Sequence, residues 1–363
     1  MEALGDASPD VARAAIRRLV EIEGRRAAGV FTARLLVADL SLVADLAGAL
    51  RDLGDPIALE VATIGLHDAV YGHRLAAALA LGVLGDRRGI DALRSVLDDP
   101  IAGVRAAALD ALVKLRPPDD VAVECATLLA DPDAQVRIAA VRAVVAIVPR
   151  SKGLLGPLAA DADCRVRLEV ARHVAALAAE WSRRLFGDAD AGVRQAAAQA
   201  SGPAQATALA SLLASDPNSD VRRAAARALG AIKAEAVAEA LVAGVEDPDA
   251  LVRAAVVHAL ERSLTRAGAV SRLTRELAAR EPQRRRWTVY ALAHLKASDA
   301  ACDVWRLADD PEPDVRLALI QACSVVLADP EPLLLYMATD PDHSVQSSAR
   351  NRLERHQRPG EAV

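Results

Sequence analysis

The sequence predicts an all-α fold: a right-handed α-solenoid of about twelve helix-pair repeats, each about 30 residues long. Three observations predict it. Of 363 residues, 53% are hydrophobic, yet Phe, Trp and Tyr together make up 2%, so the apolar mass is Ala, Val and Leu, small enough for helices to approach closely. The stretch Asp131-Pro-Asp-Ala-Gln-Val-Arg137 recurs as Asp216 to Arg222, Asp247 to Arg253 and Asp310 to Arg316. Finally, the chain exceeds what one globular core usually holds, and a repeat array resolves that excess without a second domain.

The register carries through the chain. With the Val of the repeat as position zero, it falls on Val11, Leu42, His73, Val104, Val136, Val166, Val193, Val221, Val252, Arg284, Val315 and Val345, in steps of 27 to 32 residues. Asp stands five residues earlier in ten of the units, often followed by Pro, which reads as an N-cap with Pro at the first helical position. Small or apolar residues then fall at +3, +4, +7, +8 and +11, as in Ala224, Ala225, Ala228, Leu229 and Ile232, one helical stripe. A turn such as Leu84-Gly85-Asp86 leads into a second apolar helix, antiparallel to the first because the turn is short.

No pair of this size buries its apolar faces alone, so the pairs stack, first helices on the convex side and second helices lining the concave side. The expected layout is one solenoid over 1–357, made of eleven pairs and a capping helix at about 340–357, with a flexible tail at 358–363. The last unit is polar on its expected core face (Gln346, Ser348, Arg352, His356). The short steps around Val193 predict a local change of curvature.

On these residues the pattern Asp-Pro-x-x-x-Val-Arg-x-Ala-Ala-x-x-Ala-Leu, with its Leu-Gly-Asp turn, resembles the short HEAT-like repeats of the phycobilisome-lyase type. The resemblance covers residues 6 to 357 and is specific for fold. For function it implies a range: scaffolds, adaptors, chromophore lyases and a few enzymes. It also implies an Asp/Arg ladder between successive repeats. The candidates are Asp99, Arg105, Asp131, Arg137, Asp216, Arg222, Asp247, Arg253, Asp310 and Arg316, in which each Arg pairs with the Asp of its own or a neighbouring unit rather than with a phosphate.

One unit breaks the pattern. Arg284 replaces the Val, Ala279 replaces the Asp and Trp287 fills the +3 Ala position. Around it, residues 262–286 hold eight arginines against Glu276 and Glu281, a local excess of +6 on a chain of net charge −5. Arg284, Arg285, Arg286, Trp287, Tyr290 and Trp305 form a candidate binding patch, since Arg and aromatics make interaction hot spots and also grip nucleic acid. Local repacking around a bulky Trp is the other reading. Trp181 and Tyr336, on second helices, are further candidates for the concave face.

Other features exclude more than they suggest. His67, Asp68, Tyr71 and His73 share a loop, but Asp68 and His73 are repeat positions, which speaks against an acid–base site. The four cysteines, far apart and without a C-x-x-C pair, read as buried reduced thiols. No metal spacing, nucleotide loop or nucleophile–base constellation is visible, so no cofactor and no catalysis are expected. The N-terminus lacks the order of a signal peptide and no uncharged apolar run is long enough to span a bilayer, so no membrane partner and a cytoplasmic location are expected. The function expected is a non-enzymatic scaffold or adaptor holding a protein or peptide along the concave face. The alternatives are a nucleic-acid-binding, DNA-glycosylase-like protein using residues 262–286, which the net charge opposes, and a bilin lyase or isomerase subunit, implied by the repeat type alone.

Overall fold

A computed structural model describes Leu4 and residues 8–115, 122–147 and 149–357. The residues proposed as a C-terminal tail lie outside these. Among the described residues there are 22 α-helices and no strand. The chain forms two units, Met1–Ala171 with Ala176–Arg184, and Leu185–Val363 with Arg172–Ala175.

In the first unit the first helices of successive repeats are α1 (Pro9–Glu23), α3 (Leu40–Leu53), α5 (Tyr71–Leu84), α7 (Ala102–Leu115), α9 (Ala134–Ile147) and α10 (Cys164–Ala171), each packed on the next. Their partners are α2 (Ala28–Arg34), α4 (Pro56–Gly65), α6 (Ile90–Arg94) and α8 (Ala122–Thr127), then a 3-10 segment over Pro149–Ala160 and α11 (Ala179–Phe186). The 3-10 segment replaces an α-helix where Gly153, Gly156 and Pro157 interrupt the sequence.

The second unit stacks α12 (Ala191–Gln199), α14 (Ser219–Leu229), α16 (Ala250–Ser263), α18 (Pro282–His294), α20 (Pro313–Val326) and α22 (His343–Gln357) in the same way. Their partners are α13 (Ala206–Ser215), α15 (Glu235–Ala243), α17 (Arg266–Glu276), α19 (Ala301–Trp305) and α21 (Glu331–Met337).

Of the predicted stripe, Ala224, Ala225, Leu229 and Ile232 are buried with Val221, whereas Ala228 is half-buried. The turn at Leu84-Gly85-Asp86 works as its residues require. Gly85 ends α5 in the left-handed region at φ 75°, and Asp86 accepts the Arg88 N–H that opens the next segment.

The repeat Asp does not cap the helix, contrary to the expectation. In the eighth repeat the cap is Asn218, which accepts from Asp220 N and Val221 N; in the ninth it is Asp249, which accepts from Leu251 N and Val252 N. The repeat Asp stands two residues earlier and bonds the cap's own N–H, as Asp216 does to Asn218 N at 2.9 Å and Asp247 to Asp249 N at 2.8 Å. This leaves its carboxylate aimed across the turn at the preceding repeat.

There it meets the repeat arginine. Seven rungs share one geometry: Arg74–Asp99, Arg105–Asp131 and Arg137–Asp161 in the first unit, and Arg194–Asp216, Arg222–Asp247, Arg285–Asp310 and Arg316–Asp340 in the second. Each Arg gives Nε and Nη2 to both carboxylate oxygens of the next repeat, as in Arg222 to Asp247 at 2.7 and 2.9 Å. Its Nη1 also bonds the carbonyl of its own repeat's turn, Asp216 in that case, at 2.8 Å.

Burial disfavours charge on Asp99, Asp131, Asp216 and Asp340. The arginine and the turn N–H outweigh it and hold each carboxyl below its ordinary value. A carboxyl depressed in the folded state contributes stability that is full above the unfolded value, near 4, and is lost as pH falls through the folded one. Thermal melts followed by circular dichroism are therefore expected to hold a constant midpoint from pH 7 to about 5 and to drop below pH ~4. A midpoint unchanged down to pH ~2.5 would show that the rungs contribute nothing.

Cys125 and Cys323 are buried, and burial pushes their thiols up, Cys125 to about 11. Cys164 and Cys302 are exposed, against expectation, because neither falls on the core stripe of its short helix. No helix among the described residues is long and apolar enough to cross a membrane.

Candidate functional site

The repeat that breaks the sequence pattern also breaks the packing. Helices α16 and α18 are packed less closely than the neighbouring pairs α14–α16 and α18–α20. The cause is side-chain size: Trp287 stands where most other first helices, including both neighbours, carry Ala, and Arg284 where most carry Val. A cavity of about 250 Å³ opens between the two helices, lined by Arg253, Ala254, Val257, Trp287, Tyr290 and His294 among others.

Arg253 is the ladder residue that this change affects. It was expected to form a rung, but Asp247 is already held by Arg222, and the carboxylate due from the next repeat is missing because residue 279 is Ala. Arg253 keeps the backbone half of its rung, with Nη1 bonded to the carbonyls of Asp247 and Pro248. Its guanidinium carbon lies 3.6 Å from the centroid of the Trp287 ring, a cation–π contact in place of the ion pair. Burial, which here lacks a paired carboxylate, and the nearby Arg286 hold Arg253 below its ordinary value, whereas the rung arginines are raised.

Of the predicted patch, Trp287 and Tyr290 come together with ring centroids 5.4 Å apart. Arg286 reaches the Trp287 ring at 5.0 Å and Asp314 at 3.5 Å, and its Nε is buried without an acceptor. Tyr290 donates its hydroxyl to Gln321. Arg285 is a buried rung paired with Asp310, so its donors face inward. Arg284 bonds Glu276 at 2.6 Å and lies 3.6 Å from Glu246.

The remaining candidates lie on second helices. Trp305 ends α19, 37% exposed. Tyr336 on α21 is 54% exposed and donates to Asp309 at 2.6 Å. Trp181 on α11 belongs to the first unit and is half-buried against Gly156, where a Cβ would stand 2.4 Å from its indole nitrogen.

Part of the positive charge of 262–286 is paired within the fold, while Arg262, Arg275 and Arg280 are exposed. Arg272 pairs with Glu235 and Glu239, and Arg266 bonds the carbonyls of Leu295 and Lys296 with Asp299 at 4.0 Å; Arg284, Arg285 and Arg286 are paired as above. Sequence reasoning missed His258 and His294, whose Nε2 atoms meet at 3.3 Å beside the cavity; their 36-residue separation crosses two repeats and matches no local motif.

The cluster at 67–73 is not one loop, since Tyr71 and His73 lie in the first turn of α5; His73 Nδ1 meets Asp68 at 3.2 Å, at the edge of a cavity of about 670 Å³ that Thr32 and Asp55 also line. Asp68 has no arginine because the corresponding position of the preceding repeat is Val43, and His73 takes that place. The Val70 N–H and then His73 hold its carboxyl below the ordinary value. Among the described residues no three His, Cys, Asp or Glu side chains are grouped to hold a metal.

Residues 59–145 and 206–293 match the sequence pattern of HEAT repeats. No curated protein matches the chain in sequence. Among solved structures, importin beta is similar at 13% identity and a TM-score of 0.54, over 97% of this chain and 60% of that one. Kap121p bound to Ste12p is similar at 12% and 0.50, over 97% and 44%. A complex of CpcE and CpcF of phycocyanin lyase from a Nostoc species is 23% identical over 74% of this chain and 94% of that one, with a TM-score of 0.35. Importin beta shares the fold: all-helical, with helix pairs stacked repeat on repeat. With the register and the rungs, the two matched stretches identify residues 59–145 and 206–293 as HEAT repeats.

Proposed function

We propose that the chain is a non-enzymatic scaffold that binds a protein or peptide partner, with the opened α16–α18 junction as its principal anchor. One observation carries this reading: where the neighbouring first helices close tightly, this pair exposes a cavity walled by Trp287, Tyr290 and a cation lacking its carboxylate. Aromatic and Arg side chains around a desolvated pocket are the composition of binding hot spots. The anchor sits on first helices rather than on the second-helix face expected from sequence. Exposed Trp305 and Tyr336 are the second-helix residues of this unit that would extend the contact. Ion pairing of Arg272, Arg284, Arg285 and Arg286 within the fold weighs against a phosphate track.

The test is retention of proteins by the immobilised chain. The wild type and an Ile22→Ala variant, changed at an exposed residue of the first unit, are expected to retain at least one common protein that a Trp287→Ala/Arg286→Ala variant of unchanged helix content loses by tenfold or more. Failure to enrich any protein over an unrelated solenoid removes the reading, and duplex DNA bound at low salt would replace it with the nucleic-acid alternative.

A further inference from the structure

The ladder supplies its own internal control at the broken repeat. In the seven rungs described above the Arg meets the carboxylate 22 to 26 residues later; Ala279 stands 26 residues after Arg253, as Asp131 does after Arg105. The turn backbone around Ala279 is unchanged. Its carbonyl accepts from Arg285 Nη1 at 2.9 Å, as the Asp216 carbonyl accepts from Arg222. What is missing is the carboxylate alone.

The contact with Trp287 is made by the guanidinium carbon of Arg253, 3.6 Å from the ring centroid, and does not use its N–H donors on a carboxylate. Among the described residues Nε and Nη2, the donors that grip a carboxylate in every complete rung, have no acceptor. They are also not among the sealed unpartnered atoms, so solvent reaches them, whereas Arg286 Nε beside the same ring is sealed and unpartnered. An edge-on guanidinium with two parallel N–H donors fits a planar carboxylate and holds it in bidentate fashion.

We propose that Arg253, backed by Trp287 and Arg286, takes the side-chain carboxylate of a Glu or Asp in a peptide segment of the partner, completing in trans the rung that Ala279 leaves open. This deepens the scaffold reading and rests on it for the source of the carboxylate.

The test uses calorimetric titration of the full chain at low salt with a blocked peptide of alternating Glu and Gly, and with its Gln counterpart. The Glu peptide is expected to bind at least tenfold more tightly. Ala279→Asp, which restores the carboxylate in cis, is expected to weaken the Glu peptide at least tenfold while raising the thermal midpoint. Arg253→Gln is expected to weaken it similarly at unchanged helix content. Equal binding of the two peptides, or undiminished binding to Ala279→Asp, overturns the proposal. So does displacement of the peptide by an equal concentration of succinate, which would assign the site to a small dicarboxylate. The two readings separate cleanly. A partner retained equally by wild type and Ala279→Asp keeps the scaffold and overturns this site; selective Glu-peptide binding with no retained partner does the reverse.

Discussion

Replacing Asp247 by Ala is expected to lower stability by about 3 kcal/mol, the usual cost of removing one partner of a buried ion pair. The side chains of Asp247 and Arg222 are 4% and 12% exposed, so the guanidinium left behind has little water to compensate it. The same substitution removes the bond that closes the turn onto Asp249 N. Asp247→Asn keeps an oxygen for that bond and loses the charge, so it is expected to cost roughly half as much. Because stability in stacked repeats is approximately a sum of repeat and neighbour terms, the loss is expected to broaden denaturant unfolding as well as to move its midpoint. An Asp247→Ala midpoint equal to wild type would show that the rung is ornamental.

The second large effect concerns the closeness of the first helices. A Cβ on Gly230 would lie 2.6 Å from Ala259 Cα, and one on Gly82 would lie 3.0 Å from Ala111 Cα. Both contacts join position +9 of one first helix to the +7 Ala of the next. The obstructing atoms are backbone, which no rotamer change moves aside. Gly230→Val is therefore expected to cost about 3 kcal/mol, at the upper end of overpacking penalties. Gly48 in α3 has nothing within 4 Å of its hypothetical Cβ, and Gly48→Ala is expected to stabilise by up to about 1 kcal/mol through helix propensity. Urea melts of the two variants should diverge in sign; a destabilised Gly48→Ala beside a tolerated Gly230→Val would reverse the packing account.

Much of this was legible because the fold is written in a short period. Val at position zero, Ala at +3, +4 and +7 and Leu at +8 recur in most of the twelve units, so departures at single positions, such as His73, are outvoted by the rest. The ladder was legible in composition but not in pairing. Spacing alone does not tell whether Arg222 reaches Asp216 or Asp247; the structure shows that it takes the carbonyl of the first and the carboxylate of the second. The role of the Asp was misread for a related reason, since an Asp before a helix is most often its cap, and only the backbone shows the cap two residues on. At the candidate site, Ala279, Arg284 and Trp287 stood out as departures, but their consequence fell on Arg253, one repeat earlier. A residue whose own sequence is regular becomes exceptional through its neighbour in space.

The central claim is that each rung couples one repeat to the next, and that its absence at Arg253 is what leaves a site. A double-mutant cycle at Arg222 and Asp247 tests the coupling most directly. Equilibrium unfolding of wild type, Arg222→Met, Asp247→Ala and the double variant is expected to give an interaction energy of about 2 kcal/mol, with Asp247→Ala costing far less once Arg222 is gone. Strict additivity of the two single changes would contradict the account.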